Sequence, residues 1–155
     1  MAEADKTLEG MPTTHALEYY KNHCEFLGYS VEELDEFSIS CRHSRRDYII
    51  LILLDRNAGV MAQIVYVFPE KFQNDLSPLY MYANELNRSF LFIKAYISTR
   101  ENKPPIIILN SVHEGEYSRQ SFANFIDNIE YDMSSFHSYP KTRDIWHSQD
   151  NEIPF

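Results

Sequence analysis

Two apolar runs joined by a short turn constrain this chain more than any other feature. Tyr48 to Leu54 is nearly continuous in Ile and Leu, and Val60 to Phe68 has Gln63 as its one clearly polar residue. Between them lies Asp55-Arg56-Asn57-Ala58-Gly59, made of turn formers and ending in a residue tolerant of positive φ. A connection this short joins antiparallel strands, because a parallel pair needs a crossover of about a dozen residues or more. The first run reads as a central strand covered on both sides. A hairpin of long apolar strands is therefore the fixed point of the fold.

The flanking patterns extend it in both directions. Phe37, Ile39 and Cys41 alternate with Ser38, Ser40 and Arg42, as in a strand with one wet face. Phe90 to Ser98 and Pro105 to Val112 form a second hairpin about the Thr99–Lys103 turn, with a polar loop over His113–Tyr117. Helical spacing appears three times. Leu17, Tyr20, Cys24 and Leu27 form a stripe that Thr13 or Thr14 can cap and Gly28 can stop. Leu79, Ala83 and Leu86 form another, with Asp75 or Ser77 as cap and Pro78 in the first turn. Phe122, Phe125, Ile126, Ile129, Met133 and Phe136 mark a broad face on a last helix beginning near Ser118. Ser30 to Glu36, with Glu33 three residues after Ser30, reads as a short helical turn.

The expected fold is α+β: a single antiparallel sheet with helices packed on it, in the order α-β-β-β-α-β-β-α. Residues 1–13 read as a flexible lead, 14–136 as the domain and 137–155 as an irregular tail that Ile145, Trp146 or Phe155 can anchor. At 155 residues the chain can bury about 70% of the surface its extended form exposes. No disulfide or metal staple is needed.

Charge and cysteine usage narrow the function. Fourteen basic against 23 acidic residues give a formal charge of −9, which repels nucleic-acid phosphates and anionic lipid. The exception is a basic segment, Arg42, His43, Ser44, Arg45 and Arg46. Its bland reading is a charged loop between strands. Its functional reading is a dock for an acidic peptide or phosphate, which guanidinium groups pair bidentately. The opening residues have no apolar h-region, and the longest apolar run, Ile49 to Leu54, is far too short to span a bilayer. A cytoplasmic location is expected, with Cys24 and Cys41 as free core thiols.

Chemistry-bearing groupings are sparse. His15, His23, Cys24, Cys41 and His43 are the residue types zinc takes, but His15 and His23 stand about 12 Å apart along a straight helix. Ser111, His113 and Glu114 lack the strand–nucleophile–helix elbow of a hydrolase. Glu32, Glu33, Asp35 and Glu36 lack the spacing of a calcium loop. Four scattered glycines make no phosphate loop. No catalytic, cofactor or metal residues are expected.

The segment Tyr80 to Val112, with Leu86, Asn87, Phe90, Lys94 and Ala95, resembles the YbjN family, which is similar in fold to type III secretion chaperones. The resemblance extends over residues 14 to 136; the acidic Ser30–Glu36 stretch and the aromatic tail depart from it. It implies a type III secretion chaperone-like sandwich that dimerises and carries no catalytic residues. The expected function is non-catalytic binding of a protein or peptide by a homodimer, chaperone-like or regulatory. Arg42, Arg45, Arg46, Phe92 and Tyr96 are the candidate contact residues. The alternative is a small-molecule-binding regulator with a pocket between the last helix and the sheet.

Overall fold

The computed structural model describes residues 13–55 and 58–147. They form helix α1 (Thr13–Phe26), strands β1 (Ser30–Asp35), β2 (Ser38–Arg42), β3 (Ile49–Leu53) and β4 (Gly59–Val67), and helix α2 (Ser77–Ser89). Strands β5 (Lys94–Arg100) and β6 (Lys103–Glu114) and helices α3 (Arg119–Ser138) and α4 (Pro140–His147) complete the order. One six-stranded sheet runs β1-β2-β3-β4-β6-β5. Strands β1–β2, β2–β3 and β5–β6 pair antiparallel. The Leu54 N–H meets the Gly59 carbonyl at 3.0 Å across the β3–β4 turn, and Phe68 meets Pro105 while Gly115 meets Ala58, so β4 and β6 also run in opposite senses. The α+β class with a single antiparallel sheet is the expected one. The lead over residues 1–13 (Thr13 apart), Arg56 and Asn57 of the turn, and Phe155 lie outside the described residues, as do the side chains of Thr13 and Thr14 expected to cap α1.

The chain divides into two compact units. One runs to Ala62 and takes in Val112–Asn124. Within it α1 buries Leu17, Tyr20 and Cys24. It stops at Gly28, whose φ of +94° a side chain would strain, and the Tyr29 N–H closes back on the Cys24 carbonyl at 3.0 Å. Ser30–Asp35 is then a strand, not the expected helical turn. The Ser-x-x-Glu spacing that suggested a cap instead places Ser30 opposite Arg42 and Glu33 opposite Ile39. The hairpin turn is made by Asp35, whose Oδ1 accepts the Phe37 N–H (2.8 Å) and the Ser38 hydroxyl (2.9 Å). That turn leaves Phe37 half exposed rather than in the core stripe. On β2 the expected wet face is closed too: Ser38 and Ser40 are buried. Each is small and lies between larger neighbours, Ser40 facing Glu32 on one side and Ile50 on the other. Strand β3 buries Ile49, Leu51 and Leu53, while Ile50 and Ile52 are half-buried, so its second face is only partly covered. Gly59 is required by its neighbour as well as its φ of +135°, since a Cβ there would fall 1.9 Å from the His113 carbonyl oxygen.

The other unit comprises Gln63–Ser111 and continues from Phe125. Helix α2 has proline in its first turn and buries Leu79, Tyr82, Ala83 and Leu86. Beyond it the chain does not enter β5 at Phe90, as the alternation predicts, but at Lys94. The intervening backbone is held by one side chain. Asp132, fully buried on α3, accepts the N–H groups of Leu91 (3.1 Å), Phe92 (2.7 Å) and Ile93 (2.8 Å). Around it, Phe125, Ile126, Ile129, Met133 and Phe136 are buried as expected. The Asn87 amide then pairs with Ala95 like a short strand, donating to its carbonyl (2.9 Å) and accepting its N–H (2.8 Å).

The stretch after Phe136 is not wholly irregular: Pro140–His147 is helix α4. Trp146 is buried, stacks on Phe68 with ring centroids 5.1 Å apart, and donates its indole N–H to the Val67 carbonyl at 2.8 Å. The Tyr82 and Thr142 hydroxyls share a short hydrogen bond. Glu85 receives the Lys141 ammonium (2.7 Å) and the Tyr139 hydroxyl (2.6 Å). Those two contacts, Lys141 first, hold the Glu85 carboxyl below its ordinary value.

Two outcomes follow. Asp132→Asn keeps the shape but turns an amide N–H toward backbone donors, and urea unfolding should show a loss of about 2–4 kcal/mol. Because Glu85 is depressed in the folded state, its contribution is present above pH 4.5 and fades as pH falls through the folded value. Melting temperature should therefore drop more steeply for the parent chain than for Glu85→Gln below pH 4.5, the two curves converging in strong acid.

Candidate binding surfaces

The basic segment leads from the end of β2 toward β3. The Arg42 guanidinium lies 4.6 Å from the Tyr48 ring centroid and that of Arg46 lies 5.7 Å from Tyr29. His43 packs edge-on to Tyr29 at 5.0 Å, and its Nδ1 accepts the Arg45 N–H at 3.0 Å. Aromatic faces thus hold two of the three arginines while Arg45 stands exposed. For the exposed Arg42, such stacking leaves the edge of the guanidinium plane toward solvent, the edge that pairs with a carboxylate or phosphate.

Phe92 and Tyr96 belong to the other unit. Phe92 is placed through its own backbone by Asp132, and its ring is exposed. Tyr96 lies directly opposite Ile108, with Lys94 opposite Asn110 and Ser98 opposite Ile106, so these six share one face of the β5–β6 ladder. The other face carries Ala95, Ile107 and Leu109, all buried. On β4 Ile64 is buried, as is Phe68 just beyond the strand, while Val65 and Val67 are exposed. This unit's sheet accordingly has one packed face and one open face, and the open one carries Val65, Val67, Tyr96, Ile106 and Ile108. Sequence reading identified Tyr96 but not its aliphatic neighbours. Their alternation was legible in β4 and β6, but both runs were nearly uniformly apolar and did not say which side stays wet.

The open edge of β5 is partly closed. Ala95 gives both its backbone groups to Asn87, while inside the β5–β6 hairpin the Arg100 guanidinium folds onto the Pro104 carbonyl of β6 (2.9 and 3.3 Å). A third feature is a groove of about 460 Å³ lined by Lys71, Phe72, Pro78, Met81, Lys141 and Ile145, among others.

Groups that would do chemistry are otherwise engaged. Ser111 donates to the Phe92 carbonyl at 3.0 Å, and His113 Nε2 contacts the Ser121 hydroxyl at 3.0 Å. Cys24 and Cys41 are both buried; the Cys41 side chain, then burial, pushes the Cys24 thiol up, which makes it a poor nucleophile. Among the described residues no group of three His, Cys, Asp or Glu could hold a metal ion, and no helix is long and apolar enough to cross a membrane.

No family model matches the chain, and no curated protein matches it. Among solved structures, it is similar to YbjN from E. coli, a candidate transcription regulator, with a TM-score of 0.63 and 16% identity over 77% of this chain and 86% of that one. At that identity the likeness speaks for architecture alone, and the architecture is YbjN-like.

Proposed function

We propose that this chain is a non-catalytic protein-binding domain of the cytoplasm that acts as a homodimer, with the open sheet face of the Gln63–Ser111 unit as its contact surface. One observation carries the reading. Val65 and Val67 are 41% and 51% exposed, Tyr96 is 39% exposed, and Ile106 and Ile108 lie half-buried beside them. Clustered apolar side chains of this kind mark interaction surfaces on soluble proteins.

Charge supports a second copy as the occupant. Two chains of charge −9 repel one another, and contact is favoured where carboxylates are missing. Among the open-face positions Gln63, Val65, Val67, Lys94, Tyr96, Ser98, Ile106, Ile108 and Asn110 there is no acidic residue. Contact through the face also fits an edge on which Asn87 already occupies Ala95. The similarity to YbjN supports a regulatory role, and so acidic a regulator acts through other proteins rather than by gripping nucleic-acid phosphates.

Light scattering at high micromolar concentration tests this. The expected mass is twice the 18.3 kDa of one chain, falling to a single chain in the Val65→Glu/Val67→Glu double variant with its melting temperature kept. A monomer in the parent chain, or a dimer indifferent to the two glutamates, would refute the proposal.

A further inference from the structure

Helix α1 carries two stripes: one is buried in the core, and the second, apart from its buried His23, is exposed. Tyr19, Asn22, His23 and Phe26 follow the i, i+3, i+4, i+7 spacing of a second face. With Tyr117 and Arg119 they line a recess of about 310 Å³, within the range of small-molecule sites. Its walls are aromatic: Tyr19 and Tyr117 stack with centroids 5.4 Å apart, and His23 Nδ1 lies 2.8 Å from the Tyr117 hydroxyl. Phe26 is 76% exposed and Tyr19 52%, an unusual display for two large rings on a helix whose other face is buried. Arg119 sits at the mouth with its guanidinium 5.6 Å over the Phe26 ring. No carboxylate among the described residues pairs with it. Burial, and after it Arg119, lowers the pKa of His23 below its ordinary value, which leaves Arg119 as the positive charge of the recess.

The recess thus offers flat apolar surface next to a cation with no ion-pair partner among the described residues. A bare phosphate would cover none of the rings, and a neutral arene would leave the guanidinium unmatched. We propose that this recess binds a small aromatic carboxylate, its ring against Phe26 and Tyr19 and its carboxylate on Arg119 in a charge-assisted pair. The site is lined by a different set of residues from the open sheet face, so each can fail without the other.

The test uses the full chain, isotope-labelled, titrated with indole-3-acetate and separately with indole and with acetate. Indole-3-acetate should shift the signals of Tyr19, Phe26 and Arg119 saturably and bind at least about tenfold more tightly than either half. Arg119→Gln should weaken indole-3-acetate about tenfold and leave indole unchanged. The His23 titration should move upward when the carboxylate is bound, since a nearby negative charge favours the imidazolium. Phe26→Ala, also a surface change, should weaken both indole-3-acetate and indole. Shifts centred elsewhere, no saturable shift, or equal affinity in Arg119→Gln would overturn the proposal.

Discussion

The three hydrogen bonds that Asp132 accepts decide how the second half of the sheet is entered. After α2 the chain must turn and begin an edge strand, and Leu91, Phe92 and Ile93 have no strand partner for their N–H groups there. Buried N–H groups left without acceptors are costly, and an aspartate on the packed face of α3 supplies two oxygens for all three. That fixes where β5 starts and hence which of its side chains face outward. Tyr96 and Lys94 lie on the open face because Ile93 and Ala95 are drawn to the packed one. Asn87 continues the same logic one step along by standing in for a missing neighbouring strand.

Both edges of the sheet are therefore managed, by different means. β1 is short and carries Glu32, Glu33 and Asp35, almost all exposed, a charged edge that discourages pairing with another chain. β5 is closed at Ala95 by the Asn87 amide. Neither edge favours strand addition, and the contacts proposed above lie instead on the aliphatic face of β4–β6–β5 and in the aromatic recess on α1, two surfaces with different chemistry.

Much of this was legible in the residues. The hairpin runs, the three helical stripes and the stop at Gly28 all appear in the structure, because each is set by local spacing. The failures share a cause. Ser30–Asp35 has no apolar period, so its strand state depends on pairing with β2, which lies beyond any local window. Ser38 and Ser40 look wet by type and are buried by their neighbours. Pro140–His147 looked irregular because its helix depends on Trp146 docking onto Phe68. Asp132 left a usable trace: an acid in the middle of the Ile129–Met133–Phe136 stripe, where only a fully bonded one is tolerated. The basic segment was easy to see, but its stacking on Tyr29 and Tyr48 required the fold.

Amide hydrogen exchange at Leu91, Phe92 and Ile93 tests the role of Asp132 most directly. Leu91 and Phe92 have exposed side chains and no strand partner, so their amides would exchange freely without the carboxyl. The account predicts that Phe92 and Ile93 exchange as slowly as the buried strands, with Leu91 only somewhat faster, and that all three lose protection together when residue 132 is changed. Exchange of these three at the rate of an open loop, beside a protected β6, would contradict it.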